Sequence, residues 1–84
     1  MFSVTTVVKC ASGLRGDLAT RFIEKANGFH SGIWIEAEGH KLNAKSMLGV
    51  LNMAIVAGTE VTISADGADE KEAVNTLVEL LAQN

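Results

Sequence analysis

Glu60-Val61-Thr62-Ile63-Ser64-Ala65 alternates polar with apolar residues along its whole length. Successive side chains of an extended chain point to opposite faces, so this spelling predicts a strand with Val61, Ile63 and Ala65 turned inward and the other three facing water. A strand wetted on one side belongs to an antiparallel sheet covered on a single face. Further along the chain, Asp69 followed by Glu72 has the spacing of a capping box, and Ala73, Val74, Leu77, Val78, Leu80 and Leu81 then recur on one helical side. In the other direction, Ser46 can cap a helix and Gly58 can end one in a left-handed turn, which predicts a single helix between them. Leu48, Leu51 and Ile55 form one apolar stripe on it, and Val50, Met53 and Ala54 form another, so the segment is apolar nearly all round. A chain this short buries only roughly 60–65% of its unfolded surface. Little room is left to enclose such a helix, and part of it is expected to be exposed for a partner.

The remaining segments complete the pattern. Gly32–Ala37 and His40–Asn43 are short extended runs separated by Glu38-Gly39, the composition of a hairpin turn. Phe2–Val8 is rich in β-branched residues and reads as a first strand. Lys9–Leu14 is a loop with Gly13 at its turn. From Leu18 onward, Leu18, Ala19, Phe22, Ile23 and Ala26 share a helical face opposite Thr20, Arg21, Glu24 and Lys25. Asp17 suits the positive end of that helix, Asn27-Gly28 suits its stop, and Ser12 or Gly16 is the expected cap. The order is β-α-β-β-α-β-α. It predicts an α+β open-faced sandwich, a four-stranded antiparallel sheet with three helices on one face, in a single domain over residues 1–84.

Composition removes several classes of function. An apolar content of 48% in 84 residues excludes a disordered chain. The net charge of -3, with both signs interspersed and no basic stripe, argues against direct binding to nucleic acid. Nowhere do about eighteen apolar residues occur together, so no membrane span is expected. Cys10 is the only cysteine, which excludes an internal disulfide and fits a reducing cytoplasm. Cys10, His30 and His40 lack any paired short spacing, so no metal site is expected, and no motif calls for a cofactor.

Three local stretches and the order of elements resemble the HPr family, the histidine-containing phosphocarrier proteins of the bacterial sugar phosphotransferase system. The resemblance is carried by Ser12-Gly13-Leu14 followed by Ala19-Thr20, by Asn43-Ala44-Lys45-Ser46-Met47-Leu48-Gly49-Val50, and by Gly58 through Glu70. It covers essentially the whole chain and implies the sandwich derived above. The first motif departs from the family. Phosphocarriers place histidine two positions after the turn glycine, followed by alanine, arginine and proline, whereas this chain reads Arg15-Gly16-Asp17-Leu18. A neutral imidazole nitrogen has a lone pair that can attack phosphorus. The Arg15 guanidinium has none; it only donates hydrogen bonds. Asp17 stands where the family has arginine and adds negative charge beside any incoming phosphoryl group, so no residue is assigned catalysis.

The second motif agrees with the family. The resemblance implies that Ser46 is phosphorylated by an HPr kinase/phosphorylase, and that the modified protein binds a catabolite-control transcriptional regulator. Crh-type (catabolite repression HPr-like) proteins lack the phosphocarrier histidine and keep this serine. A phosphate on Ser46 would add about -1.5 to -2 charges at a helix start, with Met47, Leu48 and Leu51 supplying apolar contact beside it. Arg15, Asp17, Ser46, Met47, Leu48 and Leu51 are therefore the expected partner-binding residues, in a non-enzymatic regulatory protein. An exposed apolar helix also suits a homodimer. The alternatives are a residual phosphocarrier using His30 or His40, or an interaction module with an unrelated partner. Arg15-Gly16-Asp17 also spells an integrin-recognition tripeptide, a three-residue match of little specificity.

Overall fold

The structure is a computed structural model that describes residues 1–83. Strand β1 (Phe2–Val7) is followed by helix α1 (Gly16–Asn27), the hairpin β2 (Gly32–Ala37) and β3 (His40–Asn43), helix α2 (Met47–Asn52), strand β4 (Glu60–Asp66) and helix α3 (Glu70–Ala82). The four strands form one antiparallel sheet in the order β1-β4-β2-β3. The alternation in β4 holds for its inward set, whereas Ser64, expected to face water, is buried at 6% exposure. Val61, Ile63 and Ala65 are buried, with Ile63 directly between Val4 of β1 and Ile35 of β2. They pack with Ile33 and Ile35 against Phe22 of α1 and Val74, Leu77 and Leu81 of α3 in one core. The opposite face is polar: the Thr5 and Thr62 hydroxyls meet at 2.9 Å, Ser3 Oγ donates to Ser64 Oγ at 3.0 Å, and Lys41 Nζ lies 5.7 Å from the centre of the Trp34 ring. Such rungs satisfy a wet sheet face without a covering layer. The open-faced sandwich is the observed architecture.

Three local expectations are corrected. The helix expected from Ser46 to Gly58 ends at Asn52, and Ala54 takes a left-handed φ of 52°. Ile55 is therefore outside the helix and plugs the core at 3% exposure, its carbonyl accepting the Leu14 N–H at 2.9 Å. Gly13 makes this approach feasible, since a Cβ there would stand 2.4 Å from the Ile55 oxygen. Gly58 does have φ of 87°, but in the turn entering β4, where its N–H donates to the Val8 carbonyl at 2.8 Å.

At α1, neither Ser12 nor Gly16 is the cap. Arg15 occupies the N-cap position with extended backbone and no side-chain capping bond, and the helix starts at Gly16, ahead of the expected Leu18. At α3, Asp69 sits at the N-cap position but does not cap, and Glu72 remains exposed. The Asp69 carboxylate accepts instead the His30 N–H and the Ser31 N–H, each at 2.9 Å, and the Ser31 hydroxyl. The Gly67 N–H is taken by Glu70 Oε1 at 3.2 Å. A tertiary claim on a side chain has overridden its local preference.

Candidate functional site

Ser46 is placed by the turn that leaves β3. Asn43 Oδ1 accepts the Lys45 N–H at 2.9 Å, and the Asn43 carbonyl accepts the Ser46 N–H at 3.1 Å. Two bonds fasten this turn to the end of α1: Lys45 Nζ donates to the Phe29 carbonyl at 2.8 Å, and Asn27 Nδ2 donates to the Lys45 carbonyl at 3.2 Å. Ser46 itself is the N-cap of α2, its Oγ accepting the Gly49 N–H at 3.2 Å, as its position in the sequence implies. The side chain is exposed. A Cβ at Gly49 would come within 3.3 Å of that hydroxyl, so the small residue keeps the cap open.

From Ser46 an apolar face extends outward. Met47 is 49% exposed, Leu48 74% and Leu51 45%, while Val50 on the opposite side of α2 is fully buried. The apolar-all-round reading thus resolves into one side in and one side out. Val56 is exposed as well, at 54%, and a helix running to Gly58 gives no sign of it. The signal was present: Ile55-Val56 is a β-branched pair, a poor continuation of a short helix that already holds Gly49.

Arg15 and Asp17 stand at the start of α1. The start of α1 is tied to the residues after α2 by the Leu14–Ile55 bond, and its end is tied to the residue before Ser46 by Asn27. The two helices therefore run in opposite senses. Arg15 and Asp17 are both exposed, and among the described residues neither makes an ion pair. All six expected residues are exposed, but no hydrogen bond or ion pair among the described residues joins Ser46 to Arg15 or Asp17.

His30 and His40 are elsewhere. His30 is exposed in the α1–β2 loop, with only its backbone N–H engaged by Asp69. His40 opens β3 on the rim of a groove of about 400 Å³ beside α2, lined also by Glu38, Leu42, Asn52 and Met53. Neither stands at a helix N-terminus, where an anion would be held. Among the described residues no three His, Cys, Asp or Glu side chains are grouped to hold a metal ion. Among the same residues, no helix is long and apolar enough to cross a membrane. One carboxyl is strongly perturbed: the Ser31 hydroxyl, with the His30 and Ser31 N–H groups, lowers Asp69 from 3.8 to about 2. That group joins the α1–β2 loop to the start of α3.

Comparison with known proteins follows the same outline. The family model described as "PTS HPr component phosphorylation site" matches residues 2–83. The HPr-like protein Crh of Bacillus subtilis is 43% identical over 70 residues, covering 83% of this chain and 82% of that one. Among solved structures, the phosphocarrier protein HPr of Bacillus anthracis superposes with a TM-score of 0.93 at 35% identity, covering 95% of each chain. The crystal structure of Crh from Bacillus subtilis, described as a dimer with a swapping domain, gives 0.75 at 38% identity over 96% of this chain and 93% of that one.

Proposed function

The chain belongs to the HPr family and is of its Crh type, and from that premise we propose that it is a non-enzymatic regulatory protein of carbon catabolite control that carries no phosphoryl group on histidine. The observation that carries this reading is Arg15, an exposed guanidinium at the N-cap of α1 in the position where the family's chemistry needs an imidazole. The protein works in the cytoplasm through the surface from Arg15 to Ser46. An HPr kinase/phosphorylase modifies Ser46, whose hydroxyl is exposed, and the phosphate adds charge beside Met47, Leu48 and Leu51. Arginines of a catabolite-control regulator pair with that charge while its apolar residues cover the leucines. Asp17 gives the rim of this surface an acid, so a partner approaching it presents a cation there.

Incubation with a cognate HPr kinase and ATP tests the reading. Intact-mass spectra are expected to show one added phosphate, lost in Ser46→Ala; no phosphate, or phosphate unaffected by that change, overturns it. Phosphoenolpyruvate and the first enzyme of the phosphotransferase system are expected to leave no acid-labile phosphate, and its appearance would restore a carrier role to His30 or His40.

A dimer formed by exchange of a segment is a second reading. It is favoured by the swapped dimer of the Bacillus subtilis relative and by β1 here, an edge strand none of whose side chains is fully buried.

A further inference from the structure

The hairpin register sets which residues of the edge strand β3 look toward the helices. Ala37 pairs with His40 and Ile35 with Leu42, and directly opposite residues share a face, so His40 and Leu42 fall on the side of the buried Ile35 and Ala37. Helix α2 has six residues and ends at Asn52, and between its last turn and the hairpin it leaves a groove of about 400 Å³. Leu42, Met53 and Ile55 give the groove an apolar lining, with Ile55 buried and the other two half-buried. Its polar side chains are Glu38, His40 and Asn52, all exposed. Glu38 and Gly39 have φ of 51° and 82°, the paired left-handed values of a two-residue hairpin turn, so the carboxylate stands on a tight turn rather than a loose loop.

No cation answers that carboxylate. Among the described residues Glu38 makes no ion pair. The two lysines nearest along the chain are engaged elsewhere, Lys41 over the Trp34 ring on the opposite face of the sheet and Lys45 on the Phe29 carbonyl. The last turn of α2 holds no basic residue, so the negative carbonyl end of the helix adds to Glu38 instead of offsetting it. We propose that the groove binds a small organic cation, a primary amine carrying a flat apolar body, with the ammonium on Glu38 and the body against Leu42, Met53 and Ile55. The volume suits a small molecule, and the unbranched Met53 side chain adapts to a flat ring. Asn52 and His40 add hydrogen-bonding groups at the rim. The same field disfavours an anion, and among the described residues no three ligating side chains gather into a metal site. Neither Arg15 nor Ser46 lines the groove, so this site stands or falls separately from phosphorylation of Ser46.

The experiment is a low-salt titration of the native chain, followed by amide and methyl NMR, with three indoles of similar shape: tryptamine, the neutral alcohol tryptophol and the anion indole-3-propionate. Tryptamine is expected to bind saturably with a Kd of about 1 mM or tighter and to move the signals of Glu38, Leu42, Asn52, Met53 and Ile55. Tryptophol is expected to bind about threefold to fivefold more weakly, the share that an exposed charge pair supplies, and indole-3-propionate more weakly still. Glu38→Gln is expected to bring tryptamine down to the level of tryptophol while leaving tryptophol unchanged, and added salt to do the same to the native chain. Glu24→Gln, which removes an exposed acid from α1, is expected to leave all three as they were. Because tryptophol must bind the Glu38→Gln variant as it binds the native chain, a distorted groove cannot imitate the loss of tryptamine. Absence of saturable shifts up to about 10 mM tryptamine overturns the proposal. So do shifts centred on Met47, Leu48 and Leu51, shifts spread over the surface acids, tryptophol binding as tightly as tryptamine, and a Glu38→Gln variant that binds tryptamine as the native chain does.

Discussion

Ser46 and Asp69 stand at the same place in two helices, at the N-cap of α2 and of α3, and they do opposite things. The Ser46 hydroxyl caps its own helix and leaves the surrounding surface free, with Met47, Leu48 and Leu51 exposed. The Asp69 carboxylate leaves its helix and reaches 38 and 39 positions back along the chain to hold Ser31 and His30. One cap serves its own helix beside an exposed apolar face; the other locks two loops together. A residue at the N-cap position thus caps its own helix or acts as a structural clasp according to whether a second backbone segment comes within its reach.

If that contrast is right, damage should be concentrated at the clasp. Gly67→Ala is expected to have the largest effect, because its φ is 153° and the added Cβ would stand 2.6 Å from Ser31 Oγ and 2.8 Å from Ser31 Cα. Backbone strain together with a clash against backbone is expected to cost about 3 kcal/mol or more, read as a lower urea midpoint. The clasp should also show in acid. Because the folded-state pKa of Asp69 is lowered to about 2, its ionised form contributes stability that is fully present above the ordinary carboxylate value of 3.8. That contribution is lost as pH falls from there through about 2. Asp69→Asn is expected to flatten the fall in thermal midpoint over that window, and an unchanged slope would show the clasp to be energetically idle.

On the open side the effects shrink. Ser46→Ala removes the cap of α2 and is expected to cost about 1 kcal/mol, with Ser46→Asp recovering most of it. Ala54→Gly relieves the left-handed φ of 52° and is expected to stabilise by about 0.5–1 kcal/mol, seen as a raised thermal midpoint. Leu48→Ser should be the mildest, within about 0.5 kcal/mol, since this side chain is 74% exposed and supports nothing beneath it. A loss of several kcal/mol there would mean that the face is part of the core rather than a surface for docking.

The period-two alternation of Glu60–Ala65, the hairpin at Glu38-Gly39 and the helical faces of Leu18–Ala26 and Ala73–Leu81 were legible in the amino-acid sequence, as was the capping role of Ser46. These are local properties, set by how a side chain's direction repeats along an extended or helical backbone and by donors that lie within a few residues. The exposure of Met47, Leu48 and Leu51 beside that cap also follows the expectation that part of the apolar segment stays uncovered.

Where α2 stops, what Asp69 holds, and which apolar residues face outward were settled by contacts between distant segments. Ile55 leaves the helix because its carbonyl is claimed by Leu14, forty-one positions earlier, across a glycine that admits the approach. That departure turns Val56 to the surface. Asp69 abandons its helix because two N–H groups and a hydroxyl of another loop outbid a single local donor. Spacing along the chain carries no record of such competition. A polar group goes to whichever partner the packed fold brings nearest, and that is known only once the sheet and its helices have closed around the core.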